Sequence, residues 1–228
     1  MNRKTFFSSA IAISIIALAA CTTPAPTGTT SNNTDNAVSP TATLNIDSNT
    51  TAPTVPTSAS MDSNLACSGG KTSASITPEL TEGPYYTAGS PEMANLYLDG
   101  MPGTKLIVTG YVYDTNCQPV ANAWLDFWQA NANGEYDNSG YTLRGHQFTD
   151  ANGFYTLTTV VPGIYPGRTE HIHFKVQAPN GQVITSQLFF PGVAQNDSDG
   201  IFNASLLLSI QETSDGLQAQ FNFVVPAP

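Results

Sequence analysis

Residues 165–174 (YPGRTEHIHF) bring a tyrosine, an arginine and two histidines into one short run. The chain has three histidines in all, so two of them at spacing i, i+2 carry information. In a β-strand, side chains two apart face the same way. His171 and His173 would then present two imidazoles side by side, with Ile172 and Phe174 packed behind. Two same-face imidazoles are half of a metal site. Tyr165 points to the kind of metal, because phenolate is a hard anionic donor suited to a hard cation such as Fe(III). Each signal alone has a blander reading: a packed His pair, a tyrosine of a sandwich core, a surface arginine.

Strand signals dominate the region that must hold these groups. Residues 105–113 alternate and are rich in β-branched side chains. Residues 123–129, 147–149, 154–160, 170–177, 182–190, 206–210 and 218–225 read as further strands, separated by Gly, Pro, Asn and Asp turn signals. No segment keeps a helical period over three turns, and no internal repeat is evident. Many short strands at turn-marked spacing predict an all-β domain, a β-sandwich with its site in loops and strand ends.

The rest of the chain is of another kind. Residues 1–20 read as an export signal, with Arg3 and Lys4 ahead of an apolar run from Phe6 to Ala20. A membrane span needs about 20 apolar residues, so this run is short for one. It ends in Leu18, Ala19, Ala20 and Cys21, which resembles the lipobox of bacterial lipoproteins and predicts Cys21 as a lipidated N-terminus. The alternative is an ordinary secretory signal with a coincidental cysteine. Several acyl chains would make a stable membrane anchor. Thr22, rather than Asp, follows the cysteine, and by the same resemblance this points to the outer membrane of the cell envelope. Residues 21–66 are rich in Thr, Ser, Pro and Asn, without Lys, Arg or an aromatic ring, and are expected to form a disordered tether. Residues 67–228 are then one domain. Cys67 and Cys117, in an exported chain, are expected to form a disulfide, two inert thiols being the alternative. The net charge of −10 argues against nucleic acid as a partner. Nothing sets the oligomeric state.

Three stretches combine with the first: residues 77–86 (TPELTEGPYY), 128–136 (WQANANGEY) and 185–190 (TSQLFF). In order and spacing they resemble the intradiol ring-cleavage dioxygenases, non-haem Fe(III) enzymes that open catechols between the two hydroxylated carbons. The likeness covers about residues 75–192 and is greatest to short, single-domain members. It implies Tyr136, Tyr165, His171 and His173 as iron ligands, Arg168 as the active-site cation and Gln187 as its neighbour in the following strand. Gly83, Pro84 and Tyr85 fall on the stretch that lines the substrate pocket. The resemblance further implies that an aromatic diol and O2 are the substrates and a muconate-type diacid the product. Tyr165 would be the ligand that yields to substrate and takes up a proton. Two phenolates and a hydroxide would neutralise a trivalent cation, limiting the cost of burying it.

Other residues are read as structural. His146 is taken as a loop or surface residue, Trp124 and Trp128 as packing, Tyr141 and Tyr155 as structural. The run from Val108 through Tyr155 also resembles prealbumin-like sandwich modules that bind sugars or space other domains, so a non-catalytic module is one alternative reading. A metal-binding surface lipoprotein is another. The Tyr/Tyr/His/His set argues against the first, and Arg168 with Gln187 against the second. Glu135 and Asp137 flank Tyr136. Their negative charge would disfavour a carboxylated substrate.

Overall fold

A computed structural model describes residues 65–226. The residues expected to form the export signal, the expected lipidation site Cys21 and all but the end of the expected 21–66 tether lie outside the described residues. Strict alternation makes β1 (Lys105–Asp114): Leu106, Val108 and Val112 point inward while Ile107, Thr109 and Tyr111 face out. The chain continues with β2 (Trp124–Trp128), β3 (Arg144–Phe148), β4 (Phe154–Val160), β5 (His171–Gln177) and β6 (Val183–Phe189). β7 (Ser209–Thr213), β8 (Gly216–Gln220) and β9 (Phe223–Val225) follow.

These strands form an all-β sandwich. One sheet runs in the order β4-β1-β8-β7, with β9 also paired to β1; the other runs β3-β2-β5-β6. Phe127 and Phe174 of the second sheet meet Phe223 of the first, the Phe174 and Phe223 ring centroids lying 4.6 Å apart. Each such ring contributes roughly 1.5–3 kcal/mol by leaving water. Among the described residues no helix is long and apolar enough to cross a membrane. A disulfide joins Cys67 to Cys117.

Three expected elements differ from the structure. The 218–225 strand is two strands, because Phe221 and Asn222 leave the ladder: the Asn222 side-chain oxygen accepts the Tyr111 N–H, and Tyr155 donates its hydroxyl to the Phe221 carbonyl. Residues 206–210 begin as a 3-10 turn, Ala204–Leu206, because Asn203 caps it through the Ser205 N–H. The 147–149 strand is instead Arg144–Phe148, and Thr149 bends away to bond Val120 and Ala123. His146 therefore sits within β3 rather than in a loop, with its Nδ1–H on the Ser90 carbonyl.

Candidate active site

Strand register assembles the site on the outer face of the second sheet. Arg144, Trp128, His173 and Gln187 are successive cross-strand neighbours on β3, β2, β5 and β6. His171 lies two residues from His173 on the same face, and Ile172 and Phe174 are buried in the core behind them. The two imidazoles turn their Nε2 atoms toward each other, 3.2 Å apart, and both rings are at most 3 % exposed. His171 donates Nδ1–H to the Thr169 carbonyl at 2.7 Å, so its Nε2 carries the lone pair. The Tyr136 hydroxyl lies 3.4 Å from that Nε2.

Loops bring in the two tyrosines. Tyr136 follows β2 on a turn in which the Asn131 side chain accepts the N–H groups of Asn133 and Glu135. Gly134, at φ +80°, lies against the backbone before Tyr165; a Cβ there would sit 2.4 Å from the Ile164 carbonyl. Only glycine permits that approach, and it draws the two tyrosine loops together. Their ring centroids are 5.9 Å apart, edge to face, and Tyr165 lies 5.7 Å from His171.

Tyr85 stacks on Tyr136, 4.4 Å between centroids, and stands edge-on to Tyr165. Gly83 reaches the other side of the site, where an added Cβ would lie 3.4 Å from His173 Cε1. Pro84, between them, is exposed. Arg168 points its Nη1 at the Tyr165 hydroxyl, 3.4 Å away, and donates Nη2 to the Gln187 side-chain oxygen. Gln187 in turn donates to the Thr81 carbonyl at 3.0 Å. A cleft of about 590 Å³ opens on Ile164, Tyr165, Arg168 and Asp199. A larger one, about 700 Å³, lies between residues 65–78 and Phe221 and contains none of these groups.

Three participants were not legible as such in the sequence. Asp199 accepts Arg168 Nε and the Thr169 N–H, both at 2.9 Å, fixing the turn between Tyr165 and His171. Its only advance signal is that a partly buried arginine calls for a carboxylate. Arg144, 1 % exposed, donates to the carbonyls of both Tyr85 and Asp137, tying the Tyr85 segment to the Tyr136 loop. The sequence marks Trp128 as packing; in the fold it stacks on His173, with 8° between planes. His146 contributes nothing to the imidazole pair and instead holds Ser90.

The electrostatics suit a cation. Burial, reinforced by Arg168, pushes His171 down to about 4. Burial drives His173 well below its ordinary value, with His171, Arg168 and Arg144 adding to the effect. Both imidazoles are therefore neutral donors at neutral pH. Burial pushes the Tyr136 phenol far up, and the neighbouring Tyr165 adds to it, so only a strong local positive charge would make it an anion. Among the described residues no three His, Cys, Asp or Glu side chains could hold a metal together. Two converging imidazole Nε2 atoms flanked by two phenols fit a hard trivalent cation.

The fold and the site define a β-sandwich that builds a Tyr/Tyr/His/His centre on one sheet face. The family described as Dioxygenase matches residues 81–227. The hydroxyquinol 1,2-dioxygenase of Rhizobium sp. (strain MTP-10005) is 33 % identical over 167 residues, 60 % of this chain and 56 % of that protein. The dioxygenase domain of a dioxygenase carbohydrate-binding protein fusion from Streptomyces sp. SirexAA-E is 45 % identical, with a TM-score of 0.67. It is covered completely by 68 % of this chain. An intradiol ring-cleavage dioxygenase from Tetranychus urticae is 28 % identical with a TM-score of 0.61, covering 67 % of this chain and 95 % of its own. The chain belongs to the intradiol ring-cleavage dioxygenase family. It spans about half the length of the curated relatives it matches.

Proposed function

We propose that this protein cleaves the ring of an uncharged catechol-type diol with O2 at a non-haem Fe(III) centre, giving a muconate-type diacid that keeps both oxygen atoms. The observation that carries this reading is the convergence of two neutral, buried Nε2 atoms with the Tyr136 hydroxyl, with Tyr165 and Arg168 beside them. Tyr136, Tyr165, His171 and His173 would hold the iron. Bound there, Fe(III) would supply the positive charge that makes the phenols anionic and, through the diol oxygens, the activation of the ring toward O2.

The protein's own groups divide the remaining work. Tyr165, next to the open cleft, accepts a proton from a substrate hydroxyl. Arg168, fixed by Asp199 and Gln187, stabilises negative charge that develops on the substrate. Gly83 and Tyr85 wall the site, and the Tyr85 ring limits water access over Tyr136. The Asp137 carboxyl is held far below its usual range by the N–H groups of Ser139, Thr142 and Gly140, so it is ionised, and exposed Glu135 adds to its charge. That charge disfavours a carboxylated diol and supports catechol or hydroxyquinol as substrate. We place the enzyme in the bacterial cell envelope, held by lipid on Cys21 and a tether, on the sequence pattern alone.

The test is to load the purified full-length chain with iron and measure its visible spectrum, iron content and O2 uptake. Expected are a red to burgundy colour from tyrosinate charge transfer, a weakened band in Tyr136→Phe, and diacid formation from catechol or hydroxyquinol in preference to protocatechuate. Colourless, iron-free protein sinks the proposal. Coloured protein that turns over none of the three diols leaves a metal-binding protein instead.

A further inference from the structure

The two imidazoles are held by different means. His171 is fixed by a hydrogen bond, Nδ1–H to the Thr169 carbonyl. His173 Nδ1 is buried and meets no hydrogen-bond partner among the described residues. A histidine that binds metal nearly always has its second nitrogen engaged, because that bond sets the ring's orientation and tautomer. Something else must therefore orient His173.

The indole of Trp128 does so geometrically. Trp128 is the cross-strand neighbour of His173, and the two rings lie parallel within 8°, centroids 4.8 Å apart. The indole is itself 1 % exposed and pinned from beyond. Tyr86 packs on it at 4.7 Å, and the Lys175 ammonium lies 4.4 Å from the Tyr86 ring and 5.9 Å from the indole. Tyr86 is anchored by donating its hydroxyl to buried Asp126, and Lys175 by pairing with Glu82. Gly83 closes on the Cε1 edge of His173. Offset stacking of this kind fixes the tilt of a ring where no hydrogen bond does.

We propose that Trp128 is a positioning residue for the metal centre: its stacked indole, in place of a hydrogen bond at Nδ1, sets the orientation of the His173 imidazole. The proposal rests on the iron-site reading above. It predicts an asymmetric site. His173 is the donor whose alignment depends on aromatic packing, and His171 is the donor that does not.

The experiment compares Trp128→Leu, Trp128→Phe and Phe189→Leu with wild type in the full-length chain. Phe189 is the cross-strand neighbour of His171, its ring 6.4 Å from that imidazole, and equally buried, so it removes a large ring beside the hydrogen-bonded histidine without touching His173. Three quantities are read: the thermal midpoint of the metal-free protein, the rate at which a chelator removes iron from the loaded protein, and the energy of its visible band. Trp128→Leu is expected to lose iron about tenfold faster and to shift the band. Trp128→Phe, which keeps a stacking ring, should recover most of both. Phe189→Leu should lower the thermal midpoint comparably yet release iron within about twofold of wild type. The positioning role is overturned if Trp128→Leu keeps the wild-type rate and band. It is equally overturned if Phe189→Leu accelerates release as much, which would make Trp128 ordinary core. A wild-type chain that takes up no iron overturns both the iron-site reading and this proposal; normal loading with either overturning result leaves the iron site standing.

Discussion

His171 and His173 are kept neutral chiefly by burial, with Arg168 reinforcing the effect at short range. A buried neutral histidine makes stability depend on pH in a definite direction. Unfolded, His171 takes a proton below about 6.5; folded, it resists until about 4. Between those values the unfolded chain binds the extra proton, so stability is full above about pH 6.5 and declines as pH falls toward 4. The expected loss from His171 is about 3 kcal/mol across that window, and His173, depressed by burial as well, adds to it from about pH 6.5 downward. Urea unfolding of the metal-free protein at pH 7 and pH 5 checks this. The midpoint should drop, and His171→Gln should shrink the difference. An equal drop in that variant would assign the slope to His173 instead.

At the scale of elements, the site is a row and two loops. The row Arg144, Trp128, His173 and Gln187 follows from antiparallel register, in which a one-residue slip would turn every member into the core. The loops carry the tyrosines, and they meet through Gly134. Gly134→Ala would meet the Ile164 carbonyl at 2.4 Å with φ already positive. The cost is expected to be about 2–3 kcal/mol, from the left-handed conformation and the forced separation together. Because the strain falls between Tyr136 and Tyr165, the variant should lose visible absorbance well before it loses its β-sheet signal. Iron loading followed by absorbance and far-UV circular dichroism measures both. A normal spectrum would mean that the loops meet without this contact.

Across the whole molecule, the segment before β1 works as a strap. It is fastened by the Cys67–Cys117 disulfide, then by Thr77 N–H on the Val224 carbonyl and Leu80 N–H on the Thr185 carbonyl. Beyond these it lays Gly83, Tyr85 and Tyr86 over the second sheet and pairs Glu92 with His146. The disulfide closes a loop with a sequence separation of 50. On the chain-entropy account such a link contributes about 4 kcal/mol. Replacing both cysteines by serine should therefore lower the free energy of urea unfolding by about 2–5 kcal/mol. Hydrogen exchange should quicken at Thr77 and Leu80 before it does in β5. Unchanged exchange there would show that the strap holds without its staple.

Periodicity carries much of this protein in its sequence. Alternation in residues 105–113 and 171–177 is local, so it announces strands, an inward face and two imidazoles on the outward one. Motif order adds Tyr136, Tyr165, Arg168 and Gln187, because the family spacing is written along the chain. Asp199 and Arg144 are silent there, and Trp128 stands in the motif without its role. Asp199 lies far along the chain from the Arg168 it pairs with, Arg144 binds two carbonyls from separate loops, and Trp128 gains its meaning from facing His173 across a strand pair. The break in residues 218–225 is likewise invisible locally, since Asn222 and Tyr155 replace the ladder with partners more than sixty positions away. Side-chain type and local spacing express what a residue prefers by itself. Which imidazole is tied by a hydrogen bond and which by a stacked ring depends on groups that meet only when the sheets and strap close.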